Sequence, residues 1–146
     1  MHRATYLARH HRRGKQFVMT VCNEREIKTI LHAEDDDLVR KLMAKTLSRM
    51  GYMLIPAVNG QDAVAQFITH RQEIQLLVLD LIMPKMNGLE ALNEIRKLQP
   101  EIKAIFCSAC PEAILQTRDS LGDGVAIFSK PVNMIQLTGK IREMLG

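Results

Sequence analysis

The sequence predicts an α/β fold in which a doubly wound, five-stranded parallel sheet is flanked by five helices. From Ile27 onward, short apolar runs alternate with amphipathic stretches, and the run Leu76–Leu79 is uniformly apolar. A strand that is apolar on both faces is typical of the centre of a parallel sheet with helices on both sides. Five strands alternating with five helices imply parallel strands joined by crossovers.

The apolar runs define the five predicted strands, which are Ile27–Ala33, Met53–Val58, Leu76–Leu79, Ile102–Cys107 and Val125–Phe128. Asn59-Gly60 and Gly122-Asp123-Gly124 are predicted turns beside two of them. Helices are predicted at Asp37–Met50, Gln61–His70, Leu89–Leu98, Pro111–Ser120 and Asn133–Leu145, with the fourth having the weakest pattern.

Apolar residues at helical spacing support these helices. Such sets are Leu38, Leu42, Met43, Leu47 and Met50 in the first helix, Ala63, Val64, Phe67 and Ile68 in the second, and Leu89, Leu92, Ile95 and Leu98 in the third. Gly51 stands where a helix C-cap belongs, and Pro100 ends the third helix. We expect the strand order 2-1-3-4-5 of flavodoxin-like folds, whose ligand site lies at the carboxyl ends of the strands.

Composition indicates an ordinary globular chain, since 47% of its 146 residues are hydrophobic and 25% are charged. It has no apolar run of about 18 residues for a membrane span, and no apolar segment after the basic N-terminus for a secretory signal. We therefore expect a cytoplasmic protein. Residues 1–18 hold five basic and no acidic residues. Residues 1–26 are predicted to be a disordered basic extension and residues 27–146 the domain.

Polar residues follow the predicted strands at the edge where a ligand site is expected. Glu34 and Asp35 follow the first strand, and Asp80 follows the third. Ser108 follows the fourth strand, and Lys130 comes two residues after the fifth. Crowded carboxylates favour a hard cation such as Mg²⁺, and a carboxylate beside it can attack phosphorus. Lysine and hydroxyl groups then stabilise charge on the transferred oxygens.

The segments ILHAEDDDLVRKLM, LLVLDLIMPKMNGLEAL, IFCSA and IFSKPV resemble the signature segments of the response-regulator receiver domain, of the stand-alone chemotaxis-protein type. The resemblance covers residues 27–146. It implies that Asp80 is phosphorylated and that Glu34, Asp35, Asp80 and the backbone carbonyl of Ile82 hold Mg²⁺. Ser108 would be the switch hydroxyl and Lys130 would bind the phosphate. The family also implies a cis peptide between Lys130 and Pro131.

The same resemblance implies a signalling module in a two-component phosphorelay rather than an enzyme, with intrinsic autodephosphorylation only. Its partners would be a histidine kinase or histidine phosphotransfer protein, and a downstream protein. The downstream protein would bind the face of the fourth helix, fifth strand and fifth helix, which includes Ile127, Gln136 and Lys140. Because the sequence ends directly after the last predicted helix, we expect a receiver without an attached output domain. Neither a membrane nor a nucleic acid is expected as a partner.

Three residues depart from the common receiver pattern. Ile127 stands where many receivers have tyrosine or phenylalanine, so an aromatic rotamer switch cannot operate in its usual form. Ile82 and Cys110 are apolar neighbours of the expected phosphoryl site. Our hypothesis is that they limit the approach of water and lengthen the lifetime of the aspartyl phosphate.

Other interpretations exist for several residues. A haloacid-dehalogenase-like phosphotransferase would need a second aspartate where Ile82 stands. The pair Cys107 and Cys110 matches a redox motif, although Cys107 is predicted to end a buried strand. Asp36 and Asp37 are expected to be helix N-caps, and His32 a buried histidine. The basic tail is either a nucleic-acid or lipid arm or a dispensable extension.

Overall fold

The computed structural model describes residues 5–8, 19–22, 26–116 and 118–146. Within these ranges the strands are β1 (Thr5–Ala8), β2 (Met19–Cys22), β3 (Thr29–Ala33), β4 (Met53–Ala57), β5 (Ile74–Asp80), β6 (Lys103–Ser108) and β7 (Val125–Ser129). The helices are α1 (Asp37–Arg49), α2 (Gly60–His70), α3 (Gly88–Leu98), α4 (Glu112–Leu115), α5 (Arg118–Leu121) and α6 (Met134–Leu145). No helix in the described ranges is both long and apolar enough to cross a membrane.

Five of the strands form one parallel sheet in the order β4-β3-β5-β6-β7. Counted from β3, this is the predicted order 2-1-3-4-5, so the predicted fold class is confirmed. The central strand β5 is almost entirely buried, as its apolar sequence indicates. Pro56 lies in β4, which is an edge strand of the sheet. Proline is tolerated in an edge strand because one side of that strand has no neighbour that needs a backbone N–H donor.

Apolar clusters cover both faces of the sheet, as the doubly wound arrangement requires. One face packs against α2 and α3, with Phe67, Leu92 and Phe106 fully buried. The other packs against α1 and α6, with Leu47 and Leu137 fully buried. The two layers hold the strands rigidly, so the residues just after the strands have fixed positions.

The helices show where the sequence prediction was wrong. The predicted helix Pro111–Ser120 is instead two short helical turns, α4 and α5. Among the described residues from 111 to 121, only Ile114 and Leu121 are buried in the core, which gives a long helix little support here. Leu38 and Leu42 share a helix with the buried Leu47, but they are exposed. The predicted turn Asn59-Gly60 is the start of α2, and Ile68 in that helix is also exposed. Gly51 follows α1 with φ of 93°, as expected after a helix end.

The N-terminal segment contains an element that the sequence did not predict. Strands β1 and β2 pair antiparallel, with Thr5 opposite Cys22 and Ala8 opposite Met19. The rest of the predicted disordered extension, residues 1–4, 9–18 and 23–25, lies outside the described residues. All five basic residues of the tail are among them, so its predicted roles stay predictions.

Candidate functional site

The acidic pair Glu34 and Asp35 lies where β3 ends and α1 begins. Glu34 is buried and Asp35 is exposed. The Glu34 N–H donates to the Ala57 carbonyl over 3.0 Å, and the Glu34 carbonyl accepts a hydrogen bond of 2.8 Å from Arg40. Asp36 then caps α1 by accepting a hydrogen bond from a backbone N–H in the first turn. These contacts fix the backbone on both sides of the two carboxylates.

Asp80 ends the central strand and is 8% exposed. Its Oδ1 accepts a 3.3 Å hydrogen bond from the Ile82 N–H. A Cβ on Gly88 would lie 2.2 Å from the Asp80 backbone oxygen, so only glycine allows α3 to start this close to the strand end. Burial raises the pKa of Asp80 and the charge of Glu34 adds to this, while the hydrogen bond from Lys130 lowers it in part.

Lys130 joins the two buried carboxylates. Its Nζ lies 2.8 Å from Glu34 Oε2 and 3.1 Å from Asp80 Oδ2. Burial alone would lower the pKa of Lys130, but its hydrogen bonds and the charges of both carboxylates outweigh this effect and raise the pKa. The peptide bond between Lys130 and Pro131 is cis, as expected. Lys130 is therefore held as a cation directly beside Asp80.

Ser108 ends β6 and is fully buried. Its backbone carbonyl accepts a 2.8 Å hydrogen bond from the Lys130 N–H, which places the two residues at the same edge of the sheet. Its hydroxyl oxygen accepts a 3.0 Å hydrogen bond from the Cys110 N–H. The Ser108 side chain is therefore bound to the loop that leads into α4.

The three carboxylates form a group suited to a metal ion. Glu34, Asp35 and Asp80 each offer an oxygen within 4.8 Å of the others. The group carries three negative charges when ionised, and Lys130 supplies one positive charge. A site of oxygen donors with a remaining negative charge fits a hard divalent cation better than a soft one. The donor set is therefore compatible with Mg²⁺.

Burial shifts the pKa of two further side chains near this edge of the sheet. Burial raises the pKa of the Cys107 thiol to about 12, so it stays protonated and is a poor nucleophile, although Cys110 is exposed. His32 is buried as predicted, and burial, with the charges of Lys130 and Arg40, lowers its pKa to about 4. His32 is therefore neutral near pH 7, and Cys107 lacks the reactivity of a redox cysteine.

The structure brings Glu34, Asp35, Asp80 and Lys130 together, and it places Ser108 at the same sheet edge. Ile82 lies two residues after Asp80 and is 62% exposed.

Sequence reasoning missed one residue of the site and misplaced another. Arg40 binds the Glu34 carbonyl and forms an ion pair with Asp37, which lies in the first turn of α1 rather than at its cap. The spacing of Asp37 and Arg40 on a predicted helix was the available signal.

Comparison with known proteins identifies the family. Residues 30–142 match the family model described as the response regulator receiver domain. The chain is 32% identical over 117 residues to the sensor kinase CckA of Brucella abortus, which covers 80% of this chain but only 12% of CckA. It is 29% identical over 119 residues to the response regulator receiver protein CpdR of the same organism, which covers 82% of this chain and 98% of CpdR.

A solved structure has the same architecture. The response regulator protein TrrA from Thermotoga maritima, crystallised in complex with Mg²⁺–BeF, superposes with a TM-score of 0.70 and 29% identity. The match covers 81% of this chain and 99% of TrrA. The chain belongs to the response regulator receiver domain family, and its function is that of a receiver in two-component phosphorelay signalling. The family implies that a kinase or phosphotransfer protein is a partner. It also implies a signalling role and not that of a haloacid-dehalogenase-like phosphotransferase.

Proposed function

We propose that this receiver accepts a phosphoryl group on the carboxylate of Asp80. The ion pair between Lys130 Nζ and Asp80 Oδ2, at 3.1 Å, is the observation that carries the proposal. An Asp80 oxygen attacks the phosphorus of the donor, the bond from phosphorus to the donor's leaving group breaks, and an acyl phosphate forms. Lys130 is already placed to bind an oxygen of the transferred group, and Ser108 can donate its hydroxyl proton to another.

Glu34, Asp35, Asp80 and the backbone carbonyl of Ile82 are the groups that we propose hold Mg²⁺. Asp35 would be a direct ligand because it is exposed, while Glu34 already accepts from Lys130 and would act largely through water. The ion supplies positive charge that stabilises the phosphoryl oxygens during transfer. The Mg²⁺–BeF complex of TrrA supports Mg²⁺ as the ion.

Acetyl phosphate with Mg²⁺ tests the proposal without a kinase. The wild-type chain should gain the mass of one phosphoryl group, and Asp80→Asn should gain none because an amide cannot form the acyl phosphate. The measurement is intact mass spectrometry at matched times. Asp36→Asn is the control, because it keeps a capping side chain in the same crowded region. Equal labelling of wild type and Asp80→Asn would contradict the assignment.

The lifetime of the phosphoryl group should depend on Ile82. Ile82 is exposed, and we propose that its apolar side chain, with that of Cys110, keeps water from the phosphorus. In Ile82→Asn a polar amide can bind and orient the attacking water. One such hydrogen bond in the transition state is worth about 1 kcal/mol, so we expect autodephosphorylation to accelerate by up to about tenfold. Loss of label after removal of acetyl phosphate measures the rate, and an unchanged rate would eliminate the hypothesis. Ile135→Asn, at an exposed position in α6, is the matched control.

The route of the signal is proposed to begin at Ser108. We propose that its hydroxyl turns from the Cys110 N–H toward the phosphoryl group, so that the loop before α4 loses a hydrogen bond. The single turns α4 and α5 have few buried anchors and can then rearrange. Such a route needs no aromatic side chain at Ile127. Backbone amide shifts of residues 109–121 with and without Mg²⁺ and beryllofluoride test it, and no change there would refute it.

We propose the partners from the family and from the surface next to α4 and α5. A histidine kinase or phosphotransfer protein would supply the phosphoryl group, in the cytoplasm. A downstream protein would bind the face formed by α4, β7 and α6, where Gln136 is exposed and Ile127 and Lys140 are half-buried. A change of binding to this face on phosphorylation would be a population shift rather than catalysis.

A further inference from the structure

The loop between Asp80 and α3 is bound to the start of α2 by a contact that only glycine allows. The Gly60 N–H donates a 3.0 Å hydrogen bond to the Met86 carbonyl. A Cβ on Gly60 would lie 2.1 Å from that carbonyl oxygen and 2.7 Å from its carbon. Real Cβ atoms do not come this close to backbone, so any other residue would force the loop or the helix to move.

The start of α2 is a rigid point of attachment. Asn59 is buried, and its side chain accepts a 2.8 Å hydrogen bond from the Asp62 N–H. In return, an Asp62 carboxylate oxygen accepts a 2.9 Å bond from the Val58 N–H. Ala63 and Phe67 then bury the helix against the sheet. The first N–H groups of a helix have no partner within it, and the Met86 carbonyl satisfies that of Gly60.

The loop itself needs such support. Lys85 has φ of 67°, a left-handed conformation that is unfavourable for a residue with a side chain. The two ends of the loop are joined by the Gly88 N–H, which donates a 2.8 Å hydrogen bond to the Leu81 carbonyl. Within the described residues, the hydrogen bond from the Gly60 N–H to the Met86 carbonyl is the backbone hydrogen bond that joins this loop to α2. The loop also carries Ile82, whose carbonyl is a proposed metal ligand.

We propose that Gly60 is a positioning residue of the phosphoryl site, which acts by holding the loop at residues 81–87 in the shape that presents the Ile82 carbonyl. The inference rests on the proposed function, because it concerns the proposed Mg²⁺ shell. In Gly60→Ala the Met86 carbonyl must move by about 1 Å, because a Cβ would lie 2.1 Å from its oxygen and real contacts are at least 3.0 Å. Residues that orient metal ligands typically change metal affinity by about 10- to 100-fold. We expect a loss of Mg²⁺ affinity in that range.

The test is calorimetric titration of Mg²⁺ alone into the full chain, comparing wild type, Gly60→Ala and Gly139→Ala. Gly139 is the matched control, since it lies in α6 and a Cβ there meets nothing within 4 Å. We expect Gly139→Ala to bind as the wild type does. Labelling by acetyl phosphate at saturating Mg²⁺ should recover most of the lost activity in Gly60→Ala, as a loss of Mg²⁺ affinity requires.

A second measurement needs no variant and so does not depend on whether Gly60→Ala folds. The Gly60 amide of the wild type should exchange with solvent slowly, unlike an unbonded first-turn amide. Rapid exchange, or equal Mg²⁺ affinity in wild type and Gly60→Ala, would overturn the role of Gly60 alone. Absence of Mg²⁺ binding in the wild type would overturn both this role and the proposed metal site.

Discussion

Replacing Asp35 by asparagine is expected to weaken Mg²⁺ binding by at least about 100-fold, because it removes the exposed carboxylate proposed as a direct ligand. Loss of a residue that only orients a metal ligand lowers metal affinity by about 10- to 100-fold. Loss of a ligand itself should therefore lower Mg²⁺ affinity by about 100-fold or more. Glu34→Gln should have the smaller effect, since Glu34 already pairs with Lys130 at 2.8 Å. Calorimetric titration of Mg²⁺ measures both affinities.

Asp36→Asn is the control for this prediction. Asp36 is adjacent in sequence and also acidic, but its side chain caps α1, a role that asparagine performs equally well. We therefore expect Asp36→Asn to keep the wild-type affinity. If Asp35→Asn and Asp36→Asn weakened binding equally, the effect would reflect net charge and not coordination, and the proposed role of Asp35 would be wrong.

Replacing Lys130 by methionine is expected to lower the free energy of unfolding by about 2–4 kcal/mol at pH 7. Removal of one partner of a buried ion pair leaves its charge uncompensated, which typically costs about 3–5 kcal/mol. The lower range allows for the 27% exposure of the Lys130 side chain. The loss should shrink as the pH falls, because burial raises the pKa of Asp80 and its protonation removes one unbalanced charge. Urea unfolding at several pH values measures it.

Lys97→Met provides the comparison. Lys97 lies 2.6 Å from Glu94, closer than Lys130 lies to either of its partners, but both of these side chains are well exposed. An exposed pair contributes less than about 1 kcal/mol, so this variant should be nearly as stable as the wild type. Mg²⁺ should raise the free energy of unfolding of Lys130→Met more than that of the wild type. A smaller loss in Lys130→Met than in Lys97→Met would contradict the electrostatic account of the site.

Sequence reasoning succeeded where the fold leaves few options. The apolar run at Leu76–Leu79 predicted the buried central strand, and the alternation of elements predicted the sheet order. In a parallel sheet the residues after each strand meet at one edge, so Asp80 and Lys130 could be predicted as neighbours although 50 residues separate them. The prediction needed only residue types and their place after a strand.

It failed where the outcome depends on contacts between distant segments. Helical spacing identified Leu38 and Leu42 as apolar positions, but it cannot show that nothing in the described chain covers that side of α1. The stretch that became α4 and α5 has too few buried anchors to show where a helix breaks. The sequence favours Asn59-Gly60 as a turn. The close contact that requires glycine at position 60 is with the Met86 carbonyl, which belongs to another loop and so leaves no local signal.

The chemical identity of the modified residue is the most direct test of the central claim. The chain is treated with acetyl phosphate and Mg²⁺, and then with borohydride, which reduces an aspartyl acyl phosphate to homoserine. Peptide mapping then locates the reduced residue. The account predicts homoserine at position 80 and unmodified aspartate at positions 35, 36 and 37. Reduction at any of those three positions with Asp80 intact would contradict it.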